Sequence, residues 1–349
     1  MDSAQTTIRD VARLAAVSVA TVSAVINGKS GVSERLTHRV QQAVQALNYH
    51  PDHVARSLRV RQTHTIGMVM PQIASPFFAE VLRGAEDLAG QQGYSVLICN
   101  SRGDAKQEKS HLSTLISRRV DGILLASEDP HFAHHWFAPR HVPLVLFDRI
   151  PGGFKGTVVT TNNTLASFEA TNHLIHLGHQ RIGIIAGPPD ISTSDERIEG
   201  FRKAMSEAGL LVREEYFKRG DYKLEGGYQC GLDLTKLALP PTAIFSLNYE
   251  MTLGLMRALA ETGVHCPKQV SVLGFDDFVT GIDGFSWATM FSPKLTTVAQ
   301  SGYELGRRAM QILLKKIKPV AGEEESDDGI VRLQAELRIR ESTASPAAS

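Results

Sequence analysis

Hydrophobic and polar positions follow two different periods along this chain, and the change falls near residue 64. In the first fifty residues the apolar side chains recur at helical spacing. Ile8, Val11 and Ala15 form one set, Val22, Val25 and Ile26 a second, and Leu36, Val40, Ala43 and Leu47 a third. Spacings of three, four and seven place each set on one face of a helix. The boundaries carry capping residues. Thr7 with Asp10 makes a capping box, Ser18 caps the second helix, Gly28 follows its end and Ser33 caps the third, with Arg35 and Arg39 on the polar side. Two helices joined by the tight turn at Ala16 and Val17, and braced by a third, predict a helix-turn-helix.

From His64 onward short β-rich runs alternate with helical patterns. Strands are predicted over 65–70, 94–100, 122–126 and 143–147, and helices over 77–92 and 105–118. Such alternation implies a parallel sheet covered by helices. The pattern then repeats at an offset of 116 residues, laying Ile66-Gly67 on Ile182-Gly183, Gly84 on Gly200 and Gly93 on Gly209. The expected fold is therefore a small all-α helix-turn-helix head followed by an α/β core of two similar parallel-sheet lobes.

Charge separates the two parts. The chain is neutral overall, but residues 1–62 carry a net +4 and the remainder a net −4. A basic head on an acidic body fits a head that meets phosphate, and so points to DNA. The length of 349 residues and a 42% hydrophobic content suffice for a head and two ordinary domains. No apolar run approaches the ~18 residues of a membrane span, and no signal-peptide core opens the chain, so a cytoplasmic protein without membrane contact is expected. Three scattered cysteines, Cys99, Cys230 and Cys266, argue for buried thiols in a reducing compartment rather than a disulfide framework.

The head and several later segments resemble the LacI/GalR family of transcriptional repressors. The resemblance rests on the run from Thr7 through Asn27-Gly28, on Val32-Ser33-Glu34, on Val54-Ala55-Arg56-Ser57-Leu58, and more thinly on the rest of the chain to Leu337-Arg-Ile-Arg-Glu-Ser342. It implies a core like that of periplasmic sugar-binding proteins, with a ligand between the lobes. The domains expected are a head over 1–50, a hinge over 51–62 and an effector-binding core over 63–349. Lobe one would comprise 63–163 and 293–322, and lobe two 164–292 and 328–342. The chain would cross between lobes near 162–164, 291–293 and 322–328, the last within an acidic loop longer than usual for the family.

The same resemblance implies roles for individual residues. Thr7, Ser18, Thr21 and Asn27 would contact DNA phosphates, which set register without reading sequence. The base-reading positions fall on Val19, Ala20 and Ala24, where family members often carry a polar or basic side chain. Apolar readers discriminate only through thymine methyls or excluded bulk. The hinge is too short to hold a helix alone. In the family it pairs with its dimer mate in the minor groove, where Ala55 and Leu58 would sit, Leu58 as a wedge between base steps. Around the effector, the matching positions are Phe77, Asp148, Arg197, Tyr222, Asn248 and Asp276. Phe77 alternatively packs in the core, and Asp148 alternatively caps a loop. Arg197 and Asp276 together suit vicinal hydroxyls, hence a sugar or sugar derivative. Ile191 stands where purine-binding members use Arg, which argues against a purine. Tyr249 replaces a common Asp, and the stretch 278–286 is longer than usual beside the pocket.

Other classes fit less well. No Gly-x-Gly-x-x-Gly follows the first strand of either lobe, and no Gly-x-Ser-x-Gly elbow is present, so neither a dinucleotide enzyme nor a serine hydrolase is supported. His131, His134 and His135 have no acidic or Cys partner at ligand spacing, so no metal or other cofactor is expected. A solute-binding or sugar-processing α/β protein without a DNA role is the alternative, but the basic head disfavours it. The reading is a non-enzymatic repressor that binds a palindromic operator as a homodimer and is switched by a small effector. The tail after Glu341 has no leucine heptads, so no coiled-coil tetramer is expected. Installing a bidentate guanine reader by Ala24→Arg should shift the preferred operator in a selection from randomised duplexes, by about 1–3 kcal/mol of discrimination at one base pair. An unchanged preference would show that the helix lies in a different register.

Overall fold

The computed structural model describes residues 6–26, 31–49, 62–132, 142–280, 285–319 and 329–347. The chain divides into two units, Met1–Thr63 and His64–Ser349. In the first, helices α1 (Ile8–Leu14), α2 (Val19–Ile26) and α3 (Glu34–Ala46) enclose a core of Val11, Ala12, Ala15, Val22, Val40 and Ala43, with Ile8, Val25, Ile26 and Leu47 packed against it. The Asp10 carboxylate accepts from the Thr7 backbone N–H at 3.0 Å and from its hydroxyl at 2.7 Å. Ser18 Oγ accepts from the Thr21 N–H at 3.1 Å and caps α2.

Two expectations for the head need correction. Ser33 occupies the N-cap of α3, but its side chain makes no capping hydrogen bond. Arg39 is not on the wet side: its guanidinium donates to the carbonyls of Ala15 and Ala16 at the end of α1. Those carbonyls have no partner within the helix and carry the negative end of its dipole, so a cation there satisfies both. Ala16 turns the chain at a left-handed φ of 47°. Asn27, Gly28 and the hinge residues Ala55 and Leu58 lie outside the described residues, as do His134, His135 and 320–328.

The second unit holds two six-stranded sheets. The first has the order β13-β5-β4-β3-β1-β2, from β1 (Thr65–Met70), β2 (Ser95–Asn100), β3 (Gly122–Leu125), β4 (Leu144–Phe147), β5 (Val158–Thr161) and β13 (Ile330–Leu333). All its pairs are parallel. The second has the order β14-β12-β9-β8-β6-β7, from β6 (Ile182–Ala186), β7 (Phe217–Arg219), β8 (Ala243–Ser246), β9 (Ser271–Phe275), β12 (Thr296–Ala299) and β14 (Glu336–Arg338). Only β14 runs antiparallel to its neighbour. A short hairpin of β10 (Val279–Thr280) and β11 (Phe285–Ser286) stands apart from both. The central strands are buried along their whole length, as parallel strands covered on both faces must be.

Helices α4 (Pro76–Gln91), α5 (Ala105–Ser117) and α10 (Gly302–Ile317) belong to the first lobe, and α6 (Asn163–His176), α7 (Ser192–Glu207), α8 (Leu224–Thr235) and α9 (Tyr249–Thr262) to the second. The repeated glycines have a packing cause. A Cβ on Gly84 would lie 1.9 Å from the Tyr303 carbonyl oxygen of α10, and one on Gly200 would lie 2.2 Å from that of Thr164 in α6. Gly306 against Val81, and Gly227 and Gly254 between α8 and α9, do the same, so in each lobe several glycines let helix backbones touch.

Among the described residues the chain changes sheet three times. It first passes between Thr161 and Asn163, where β5 gives way to α6. The second passage lies between Ala299 and Gly302, later than the expected 291–293, because β12 pairs with β9 of the second sheet. The third lies between Leu333 and Glu336 rather than within 322–328, because β13 extends the first sheet beside β5. The lobe segments shift accordingly: residues 293–299 join lobe two and β13 joins lobe one. Cys99 and Cys230 are buried and Cys266 is half-buried, and burial pushes the Cys230 and Cys266 thiols up to about 11 and about 12.

The segment Leu337-Arg-Ile-Arg-Glu-Ser342 fastens the second lobe. The fully buried Asp277 carboxylate accepts from Arg340, from Ser286 Oγ and, at 2.8 Å, from Thr297 Oγ1. Ser342 Oγ donates to the Val272 carbonyl at 2.6 Å and accepts from the Thr296 N–H at 2.8 Å. Arg338 lies 3.6 Å from the same carboxylate, so removing Arg340 leaves the buried charge only partly compensated. Arg340→Ala should therefore lower unfolding free energy by about 3 kcal/mol, measured by urea titration of the core. An unchanged midpoint would show that the network does not hold the lobe.

Candidate ligand cleft

The six effector positions named from sequence all line one cleft between the lobes, with a volume of about 550 Å³ including its open mouth. Four of them follow a strand at the sheet's carboxyl edge, where open α/β sheets bind ligands. Asp148 follows β4, Tyr222 follows β7, Asn248 follows β8 and Asp276 follows β9, while Phe77 and Arg197 lie near the starts of α4 and α7. Three of them have left-handed backbones: Asp148 at φ 65°, Tyr222 at 63° and Asp276 at 71°. This region costs a non-glycine residue on the order of 1 kcal/mol or more, so something must hold it. In all three cases a side chain donates to the residue's own carbonyl oxygen. Thr160 Oγ1 binds that of Asp148 at 2.6 Å, Asn248 Nδ2 that of Tyr222 at 3.0 Å, and Trp287 Nε1 that of Asp276 at 2.8 Å.

Arg197 is fixed on three sides. Its guanidinium lies 3.7 Å from the centre of the Phe275 ring, Nε donates to Asn163 Oδ1 at 2.8 Å, and Nη1 donates to the Leu247 carbonyl at 2.7 Å. Arg149, which sequence reasoning passed over, also lines the cleft, 2.7 Å from Glu128 Oε2 and 3.8 Å from Asp148 Oδ2. Burial pushes Asp148 up to about 6 against the pull of Arg149 and Arg197. Burial also raises Asp276, opposed by Arg197 and by a hydrogen bond from Gln300. Carboxylates and guanidiniums buried in one cleft can bind several hydroxyls by charge-assisted hydrogen bonds.

Aromatic walls complete the cleft. Phe77 and Phe78 meet edge-on with centroids 5.3 Å apart, and both line the cleft while packing into the first lobe's core. The cleft and core roles of Phe77 thus coexist, and Phe78 shares them. The Tyr222 ring lies on Gly187, where a Cβ would come within 2.3 Å of it. Asn248 serves the frame first: Oδ1 caps α9 by accepting from the Met251 N–H at 2.9 Å, while Nδ2 holds Tyr222. Tyr249 stacks edge-on against Phe278 and Trp287, so the longer 278–286 stretch begins and ends in an aromatic cluster beside the cleft. Gln300, Thr193 and Glu250 were also missed. Only Arg149 had a local signal, its place directly after Asp148.

In the head, Val19 and Ala20 are exposed in the first turn of α2, with Ala24 half-buried one turn on. The hydroxyls of Ser18 and Thr21 lie 2.9 Å apart at the same helix start.

A helix-turn-helix head and a two-lobed core with a polar cleft define a ligand-responsive DNA-binding protein. Comparison with known proteins agrees. Residues 63–340 match the periplasmic binding proteins and sugar binding domain of LacI family, and residues 7–52 match the bacterial regulatory proteins, lacI family. The chain belongs to the LacI family. It is 38% identical over 313 residues to the ribose operon repressor of Escherichia coli K12, spanning 89% of this chain and 93% of that protein. It is 40% identical over 313 residues to the transcriptional repressor PurR of Actinobacillus pleuropneumoniae serotype 3, spanning 89% of this chain and 91% of that one. The lac repressor dimer bound to operator and an anti-inducer superposes with a TM-score of 0.87 at 27% identity, covering 98% and 100% of the two chains. A LacI family regulator from Enterococcus faecium with bound ribose gives 0.69 at 30% identity, covering 80% and 99%.

The double duty of Asn248 is separable. Asn248→Ala should lower the melting point by about 2–4 °C through loss of the α9 cap, whereas Asn248→Ser, which keeps an acceptor, should retain most of it. Equal losses in a thermal melt would show that the cap is not what Asn248 contributes.

Proposed function

We propose that this protein is a cytoplasmic, non-enzymatic repressor that binds a palindromic operator as a homodimer and takes a free pentose of the ribose type as effector. The observation that carries the ligand class is the ring of Asp148, Arg149, Arg197 and Asp276 between the Phe77/Phe78 and Tyr222 walls. Four alternating charges within one small cleft suit the dense hydroxyls of a monosaccharide. The names of the ribose repressor and of the ribose-bound regulator support the same class. The PurR relatives favour a purine instead. Against that, Ile191 sits at the N-cap of α7 and is not among the residues lining the cleft. The operator-bound lac repressor dimer supports the DNA and dimer assignments, and the relatives named are repressors rather than enzymes. Among the described residues no helix is long and apolar enough to cross a membrane.

In this reading Thr7, Ser18, Thr21 and Asn27 meet phosphates, Val19, Ala20 and Ala24 face bases, and Ala55 and Leu58 enter the minor groove. Effector binding favours one lobe arrangement, and that arrangement sets whether two hinges can fold together on DNA.

Isothermal titration with D-ribose and hypoxanthine tests the effector. Ribose should bind, and Arg197→Ala should weaken it about a hundredfold, as loss of charged hydrogen bonds worth ~3 kcal/mol implies. Binding of the purine base with no response to pentoses would overturn the reading. A sugar hydroxyl donating to Asp148 favours the ionised carboxylate, which sits at about 6 in the free protein. Affinity should therefore fall as pH drops through 6, approaching tenfold per unit. Stability of the free core responds with the opposite sign. The fold binds this proton more tightly than the unfolded chain does, so Asp148 adds stability as pH falls from about 6 toward 3.8.

A further inference from the structure

We infer that Glu250, bridged to Gln72 across the rim of the cleft, restricts the effector to unphosphorylated sugars. The inference rests on the pentose reading above and adds a selectivity to it.

The cleft is layered. The groups suited to hydroxyls, Asp148, Arg197 and Asp276, are each less than a tenth exposed. At the rim, Gln72 is exposed and Glu250 half-buried. Gln72 Nε2 donates to Glu250 Oε1 at 3.0 Å, joining the loop after β1 in the first lobe to the first turn of α9 in the second. A substituent projecting from a bound sugar toward this rim meets a carboxylate.

Among the described residues, that charge is opposed only by the exposed Lys223. Three carboxylates line the cleft, Asp148, Glu250 and Asp276, against two guanidiniums, Arg149 and Arg197. Arg149 is paired with Glu128 at 2.7 Å, and Arg197 has Nε and Nη1 committed to Asn163 and Leu247 while facing Asp148 and Asp276. Lys223, whose charge acts on Glu250, is exposed and lies 3.9 Å from Asp221. The start of α9 would ordinarily attract a phosphate through its free N–H groups and dipole. Here Asn248 caps it and Glu250 occupies its first turn, so its positive end already has an anion. A phosphoryl dianion on the sugar would be repelled at the rim, where Glu250 stands, while inside it each guanidinium already faces a carboxylate.

The test is calorimetric titration of the full chain with D-ribose and D-ribose 5-phosphate, reading the ratio of their dissociation constants. The wild type should favour ribose by about a hundredfold or more, Glu250→Gln should narrow the ratio about tenfold, and Glu250→Lys should narrow it further. Because the exclusion is electrostatic, raising salt from about 0.05 to 0.5 M should narrow the wild-type ratio and leave that of Glu250→Gln nearly unchanged, which loss of packing alone would not do. Equal wild-type affinity for both ligands, or a ratio that neither variant alters, overturns the role of Glu250. If Glu250→Lys binds neither ligand, Glu250→Gln decides. Binding of neither ligand by the wild type rejects the pentose reading itself, a separate failure.

Discussion

The cleft depends on three strand ends being turned through a backbone conformation that their own residues resist. Asp148, Tyr222 and Asp276 each end an extended segment in the left-handed region, and each carbonyl oxygen is held by a donor from elsewhere: Thr160, Asn248 and Trp287. Each of these donors offsets part of the cost of holding its residue in that conformation. The donors come from a neighbouring strand, from a helix cap and from the aromatic cluster that closes the 278–286 stretch. The site is thus as rigid as the frame around it. That is the condition for binding a small polyhydroxy ligand without first ordering the protein.

Burying charge in this frame has a cost that the folded protein carries while the cleft is empty. Asp148 and Asp276 both bind protons more readily than exposed carboxylates do, because burial disfavours their ionised forms. Arg149 and Arg197 offset part of this, and ligand hydroxyls would offset more. Elsewhere in the core an ion pair serves the fold itself, as Asp277 with Arg340 fastens the last strand. The two neighbours Asp276 and Asp277 therefore divide the work: one faces the cleft, the other locks the lobe.

The strands and helices of the core were legible because fully buried parallel strands leave continuous apolar runs, and because glycines such as Gly84 and Gly200 mark helix contacts that admit no side chain. The six cleft residues were named because the family resemblance placed them in register, four of them just after strand ends and two in helices. What stayed hidden depends on partners far away in the chain. Arg39 reads as one more surface charge until Ala15 and Ala16 are seen beneath it. Gln300 has no local motif, yet it accepts from Thr161 and donates to Asp276, so it touches both lobes at a passage between them. The second and third passages were misplaced because loop composition suggested them, whereas strand pairing of β12 and β13 decides them.

The order of strands also sets an order of events. The first sheet begins with β1 at Thr65, yet its edge beside β5 is supplied by β13 and one of its faces by α10, more than two hundred residues later. The second sheet likewise waits for β14. Each sheet is therefore completed only by strands within residues 330–338, β13 pairing parallel to β5 and β14 antiparallel to β12. The three described helices of the head lie within its first fifty residues and need no such late partner. The small head can therefore fold well before the core that holds the ligand cleft is complete.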